Sequence, residues 1–210
     1  MYTCGLCEVH ACETGNKEKF PKNCPCLSEK VEKSKTLYSE EENAKIAYAA
    51  ALVESEGYCK KTRIEETMEF AKKCSYKNIG VAFCVGLSKE MKMLNKILTA
   101  NGFVVHSMIC KNGSIPKEEI HIKEEEKVRP FTYEAICNPI GQALFLNEAK
   151  TDLNIILGLC VGHDSLFIKY SDAPITILAA KDRVLGHNPL AALYLSEGYY
   201  NQKLFRKDED

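Results

Sequence analysis

The sequence predicts an α/β protein whose mainly parallel sheet has about four strands and flanking helices, preceded by a cysteine-rich segment. Two observations support this fold class. Short apolar runs alternate with helical patterns from residue 37 onward, and five of the 11 cysteines lie within the first 30 residues. Alternating strands and helices are typical of parallel sheets with right-handed crossovers. We therefore divide the chain into a metal-binding segment, residues 1–36, and an α/β domain, residues 37–210.

Length and charge limit the partners of this protein. The chain has 210 residues and a formal net charge of −1, so no global field favours nucleic acid or an anionic membrane. The N-terminus reads Met1-Tyr2-Thr3-Cys4, without the basic and apolar regions of a secretory signal, and the most apolar run, residues 154–162, is too short to span a bilayer. We expect a cytoplasmic protein with no membrane partner and no nucleic-acid partner.

The first half of the chain contains two predicted helices and then a strand. Acidic residues precede the helical pattern of residues 43–53, which Gly57 should end, and a second helix is expected over residues 63–73. The apolar run 79–85 predicts a strand that is buried on both faces. Ser88 should cap the following helix, residues 89–98.

The second half continues the alternation. Asn138 and Pro139 form the usual start of a helix, as N-cap and first helical residue, and Asn188 and Pro189 should start the last helix in the same way. Residues 114–130 are strongly charged and predict either a lid or a solvated connection. Strands are expected over residues 103–110, 153–160 and 175–180, with a short helix over residues 164–169.

The first cysteine set lies in a segment with too few aliphatic residues to fold unaided. Closely spaced thiolates let a short chain wrap one soft ion or cluster, whose binding energy can replace a missing core. The spacing does not identify the metal, so an iron-sulfur cluster, a zinc staple without chemistry, and free or redox thiols all remain open. The predicted ligands are Cys4, Cys7, Cys12, Cys24 and Cys26.

A second cysteine set lies at predicted strand ends. Cys84, Cys110 and Cys160 end three strands, and Cys137 directly precedes the helix start at Asn138. Because ligands collect at the carboxyl edge of a parallel sheet, we expect the four thiols to converge on a [4Fe-4S] cluster or zinc. The alternative is that each cysteine is a small buried hydrophobic residue.

Polar residues near the same edge are candidates for catalysis. His163 and Asp164 could act as ligand and orienting partner or as acid and base, whereas a turn residue and a helix cap explain them equally well. Asp182, with Arg183 and His187, could complete a pocket or belong to a solvated loop. The sequence lacks the motifs of phosphate-loop, dinucleotide-binding and serine hydrolase proteins.

Several motifs together resemble one family. They are the Cys4-x2-Cys7 cluster, Cys137-Asn-Pro-Ile-Gly-Gln-Ala143, Thr151-Asp-Leu-Asn154, Gly158-Leu-Cys-Val-Gly-His-Asp164 and Lys181-Asp-Arg-Val-Leu-Gly-His-Asn-Pro189. Over nearly the whole chain, this set is similar to the family called domain of unknown function 1847. The resemblance implies a metal-binding protein of the kind found mainly in anaerobic bacteria and archaea, and it supplies no reaction.

The residues and the resemblance together predict a protein that binds one or two iron-sulfur clusters. Such a protein would serve electron transfer or a reductive step on a small molecule, with a redox protein or that molecule as partner. The alternative is a zinc-stapled binding or sensing module without turnover. A metal-dependent hydrolase that uses His163 and Asp164 fits the thiol-rich motifs less well. Whether the protein is an enzyme is left open at this point.

Overall fold

The computed structural model describes residues 4–205 of the chain. The chain divides into two compact units, Met1–Tyr58 and Cys59–Asp210. The boundary expected from the sequence, between residues 36 and 37, falls inside the first unit. None of the helices in the described range is both long enough and apolar enough to cross a membrane.

The first unit is helical. Residues 4–40 bury little besides Ala11, in keeping with their composition, and most of their cysteines lie in or beside short 3-10 turns. The long third helix carries acidic residues in its first turn and ends at Gly57, so both predictions for it are confirmed. The helices are α1, Ala11–Thr14; α2, Glu29–Leu37; and α3, Glu41–Gly57.

The second unit alternates strands and helices, as the sequence predicts. Its strands are β1, Asn78–Phe83; β2, Val104–Ile109; β3, Leu153–Leu157; and β4, Ile175–Ala179. Its helices are α4, Arg63–Lys73; α5, Ser88–Ala100; α6, Pro139–Glu148; α7, His163–Tyr170; α8, Leu190–Tyr194; and α9, Asn201–Leu204.

The four strands form one all-parallel sheet in the order β2-β1-β3-β4, which confirms the α/β class. From β1 the chain crosses to β2 on one side, and it later returns to place β3 on the other side of β1. The carboxyl ends of β1 and β3 therefore lie at the point where the strand order reverses. In open α/β sheets this switch point is where ligands bind.

The core fixes the positions of the strand ends. β3 is buried along its whole length, and Phe167 of α7 and Leu146 of α6 are buried with it. Cys84 and Cys110 belong to the same cluster of buried side chains, and Cys137 packs against its edge. These thiols lie at the end of a close-packed core, where side chains have little freedom to rearrange.

Helix capping follows the prediction at one of three places. The Asn138 side chain accepts a hydrogen bond from the Gly141 N–H at 2.9 Å, so it is the cap of α6. The prediction for Ser88 is wrong, because α5 already begins at Ser88, whose hydroxyl donates to the Val85 carbonyl at 2.7 Å. The prediction for Asn188 is also wrong, because α8 starts at Leu190 without a side-chain cap.

The charged segment between β2 and α6 is held together by ion pairs between its own residues. The Lys127 ammonium group lies 2.5 Å from a Glu124 carboxylate oxygen and also pairs with Glu118, and its side chain is 2% exposed. Lys117 and Glu134 pair at 2.5 Å, and a backbone bridge joins Pro116 to Ala135. This segment is therefore folded against itself, and it leads directly into Cys137.

Candidate functional site

The four strand-end cysteines lie around the switch point of the sheet. Cys84 directly follows β1, Cys110 directly follows β2, and Cys160 lies in the turn between β3 and α7. Cys137 immediately precedes the N-cap of α6. Cys84 and Cys110 are buried, whereas Cys137 and Cys160 are partly exposed.

The Cys110 thiol occupies the centre of this group. It is hydrogen-bonded to both Cys137 and Cys84, and its sulfur accepts the Val85 N–H at 3.3 Å. Hydrogen bonds from Cys110 lower the pKa of the Cys84 thiol to about 5 and that of the Cys137 thiol to about 4. The same contacts raise the pKa of Cys110, which keeps its proton. The arrangement therefore favours the thiolate forms of Cys84 and Cys137 beside a protonated Cys110.

A small asparagine network brings Cys137 next to Cys110. The Asn138 N–H donates to the Cys110 carbonyl at 2.7 Å, and the side-chain amide of Asn138 donates to the Asn112 side chain at 3.0 Å. The Asn112 amide in turn donates to the Asn138 carbonyl at 3.0 Å. A Cβ on Gly141 would lie 2.3 Å from Asn112 and 2.4 Å from Asn138, so only glycine leaves room for this network.

A buried glutamine holds α6 against the two strand ends. The Gln142 side chain is completely buried, and its amide nitrogen donates to the Met108 carbonyl at 2.6 Å and to the Phe83 carbonyl at 3.2 Å. Within residues 4–205 its side-chain oxygen has no hydrogen-bond partner. These two bonds fix the start of α6, and with it Cys137, relative to β1 and β2.

Cys160 differs from the other three cysteines in its partner. Its sulfur accepts a hydrogen bond from the Arg183 guanidinium at 3.1 Å, and this contact raises the pKa of Arg183. The charges of Cys84 and Cys137 act on Arg183 in the same direction. Arg183 therefore lies within electrostatic reach of three of the four sulfurs.

Further positive charge surrounds the thiols. A hydrogen bond with Cys137 raises the pKa of His163, and Lys111 contributes to lowering the pKa of Cys137. Lys181 contributes to lowering the pKa of Cys84, and a Cβ on Gly86 would lie 3.2 Å from the Lys181 nitrogen. All these groups favour the thiolate forms of the cysteines, which are the forms that bind metals.

The two predicted catalytic carboxylates have local partners. Asp164 accepts the Ser165 N–H at 2.8 Å and contributes to raising the pKa of His163, while Gly162 takes the N-cap position of α7. The Asp182 carboxylate accepts hydrogen bonds from the backbone N–H groups of Val184, at 2.9 Å, and Leu185, at 2.8 Å. These bonds give Asp182 a role in shaping the loop before α8, and catalysis by either residue stays a prediction.

The structure brings together three of the five N-terminal cysteines. Cys26 is hydrogen-bonded to Cys24 and to Cys12, and these contacts raise its pKa. Cys4 and Cys7 share a short turn in which the Cys7 N–H donates to the Cys4 carbonyl at 3.1 Å. In the described part of the chain, no side-chain hydrogen bond joins this pair to the other three.

Neither cysteine set has the arrangement of a finished metal site. Over residues 4–205, no group of three or more His, Cys, Asp or Glu side chains is placed so that it could hold a metal ion. Hydrogen bonds join Cys84, Cys110 and Cys137 in one set and Cys12, Cys24 and Cys26 in the other, and the thiols of either set would need to turn toward a common centre to coordinate a metal ion.

Several residues around the strand-end thiols were not predicted from the sequence. Lys111 and Lys181 each follow a strand end, so the rule that identified the cysteines would also have identified these two lysines. Gln142 and Asn112 carry no such signal, because a polar residue buried between elements cannot be recognised before the packing is known.

Comparison with known proteins places this chain in a family. The sequence is 47% identical over 201 residues to the uncharacterized protein MJ0455 of Methanocaldococcus jannaschii, covering 96% of this chain and 97% of that protein. No solved structure matches. A family described as protein of unknown function (DUF1847) matches residues 24–178, a range that includes the four strand-end cysteines but not Cys4, Cys7, Cys12 or Arg183. The chain belongs to this family of proteins of unknown function (DUF1847), as its motifs predict.

Proposed function

We propose that this protein binds a [4Fe-4S] cluster through Cys84, Cys110, Cys137 and Cys160 and uses it for electron transfer or a reductive step on a small molecule. The observation that carries the proposal is the Cys110 thiol, which contacts two other thiols at the switch point of a parallel sheet. The four cysteines come from four different connections at the edge where such sheets bind ligands, and three of them are joined by hydrogen bonds.

The chemistry of the donor set fits this cofactor. Four cysteine thiolates are the usual ligands of a [4Fe-4S] cluster, and soft sulfur donors favour iron-sulfur clusters or zinc over harder cations. The pKa values of Cys84 and Cys137 are already lowered to about 5 and about 4, so both bind a metal near neutral pH without first losing a proton. Only the Cys110 proton must leave the connected set when it becomes a ligand.

The surroundings of the thiols fit an anionic centre. Four cysteine thiolates around a cluster carry net negative charge, which the positive groups of Arg183, Lys181 and Lys111 would offset. His163 adds a proton that it shares with Cys137 through their hydrogen bond. A bound cluster would supply one-electron chemistry, and hydrogen bonds and charges near its sulfurs set its reduction potential.

The N-terminal cysteines support a second candidate, a structural zinc. Residues 4–40 bury almost no apolar side chains, so metal binding there would supply the missing folding energy. Cys12, Cys24 and Cys26 already contact one another, and Cys4 or Cys7 would complete a four-ligand set. In this candidate the strand-end thiols remain core residues and the protein is a binding or sensing module without turnover.

Metal analysis of the full-length protein, purified without oxygen, tests both candidates. Iron with matching acid-labile sulfide, lost in Cys110→Ala but kept in Cys59→Ser, is the result expected for the cluster. Cys59 is an exposed cysteine of the same unit, so it is a matched control. One zinc per chain that survives Cys110→Ala and is lost in Cys26→Ala favours the zinc staple and contradicts the cluster.

A further inference from the structure

Three of the strand-end cysteines form a chain of contacts with Cys110 in the middle. The Cys110 side chain is hydrogen-bonded to both Cys137 and Cys84. The backbones are held together as well, because the N–H of Asn138, the residue after Cys137, donates to the Cys110 carbonyl at 2.7 Å. A disulfide, with its S–S bond of about 2.05 Å, forms only between cysteines whose backbones are already close. Cys110 and Cys137 meet this requirement.

Only one member of this chain can be reached from solution. Cys84 is 6% exposed and Cys110 is 2% exposed, whereas Cys137 is partly exposed. Over residues 4–205, side-chain hydrogen bonds join Cys84 to Cys137 only through Cys110. A molecule that reacts with thiols therefore meets Cys137 first, with Cys110 as the nearest second thiol. Thiol–disulfide exchange needs this order, because the first sulfur opens a disulfide and the second resolves the mixed disulfide.

Basic side chains surround the accessible thiol. Lys111 and His163 act electrostatically on Cys137, and His163 also forms a hydrogen bond with it. Arg183 is exposed, and it too interacts electrostatically with Cys137. The carboxylate of Asp164 acts on His163. A molecule that approaches Cys137 therefore meets three basic groups and one carboxylate, which favours an anionic molecule over a cationic one.

We infer that, in the metal-free protein, Cys137 and Cys110 form a thiol pair that reduces small anionic disulfides. The Cys137 sulfur forms a bond to one sulfur of the disulfide, and the other half leaves as a thiolate. The Cys110 sulfur then forms a bond to the Cys137 sulfur, and the second half leaves. The disulfide gains two electrons from the two cysteines, whose protons pass to the two leaving thiolates.

This inference goes beyond the proposed function and does not depend on it, because it concerns the same thiols when no metal is bound. A disulfide between Cys110 and Cys137 would remove two of the four proposed ligands. The oxidised protein should therefore not take up a cluster at the strand ends.

Oxidised glutathione, a small disulfide that carries carboxylates, is the probe. The full-length protein is purified without oxygen, any metal is removed with a chelator, and the protein is digested without a reductant after the reaction. Mass spectrometry should find a linkage between Cys110 and Cys137. Cys59, an exposed cysteine of the same unit, should instead carry a mixed disulfide with glutathione.

Variants separate the steps of the reaction. Cys110→Ser should stop it with glutathione attached to Cys137, and Cys59→Ser should retain the linkage. Arg183→Gln should slow the linkage about threefold with oxidised glutathione, as expected for the loss of one exposed charge. The same variant should react at the wild-type rate with hydroxyethyl disulfide, which is neutral. Arg129→Gln changes an exposed arginine on the charged segment and should match the wild type with both disulfides.

The inference is overturned if Cys137 of the metal-free protein stays unmodified, or if it keeps its glutathione while Cys110 is present. Equal rates for the wild type and Arg183→Gln with oxidised glutathione would overturn the preference for anions. Metal analysis of the protein as purified decides the proposed function separately, because a protein that never binds metal can still form the linkage.

Discussion

Replacing Gly141 with alanine tests whether the asparagine network positions Cys137. The added Cβ would lie 2.3 Å from the Asn112 side-chain oxygen and 2.4 Å from the Asn138 side-chain nitrogen, distances at which the two side chains must separate. The substitution therefore breaks the hydrogen bond between them and displaces the cap of α6.

The expected loss of stability is about 2 kcal/mol. Overpacking costs about 1–3 kcal/mol and loss of the cap costs about 1 kcal/mol, while alanine gains about 1 kcal/mol over glycine inside a helix. This corresponds to a decrease in Tm of about 4–8 °C for a unit of this size. The metal content should also fall, because Cys137 moves away from Cys110.

Equilibrium urea denaturation, together with metal analysis, measures both effects. Gly198→Ala is the control, because its Cβ would lie an ordinary 3.9 Å from the nearest atom. If Gly141→Ala is as stable as the control and retains its metal, the network does not position Cys137 and the reasoning is refuted.

Three other changes have defined outcomes. Gly158→Ala should lower the free energy of unfolding by about 2 kcal/mol in urea denaturation, because φ is 69° and the new Cβ would lie 2.2 Å from a leucine side chain. Lys127→Met should increase cleavage of residues 112–136 in limited proteolysis, since its two glutamate partners lose their cation. Metal-free protein should become more stable to urea from about pH 6 to about pH 8, because the folded state lowers the pKa of Cys84 and Cys137, and stability from a lowered pKa is lost as the pH falls. The raised pKa of His163 opposes this increase within the window, but it is one group against two thiols, and the raised pKa of Cys110 acts only above the window. Cys110→Ala should flatten the slope, because the hydrogen bonds of Cys110 lower both thiol pKa values.

The fold was predictable where local sequence decides the structure. The run that forms β3 is apolar at nearly every position because both faces of that strand are buried, and such a run reads as a strand before any packing is known. The cap at Asn138 was predictable for a similar reason, since its partner is only three residues away. The predicted caps at Ser88 and Asn188 are wrong because each helix starts one residue away from its predicted start, a difference that sequence patterns do not resolve.

The site was only partly predictable, because it depends on the strand order. The expectation that strand-end thiols converge required β1 to lie between β2 and β3, and hydrophobic periodicity does not encode that order. The different contacts of the four sulfurs could not be predicted from the sequence for the same reason. Only the packed structure shows that Cys110 contacts two other thiols while Cys160 contacts Arg183.

The two cysteine sets relate to folding in opposite ways. The strand-end thiols lie at the edge of a core that buries Ile155, Ile156 and Phe167 almost completely, so packing alone determines where Cys84 and Cys110 lie. The N-terminal thiols lie in a segment with almost no buried apolar surface, where a metal would have to supply the folding energy.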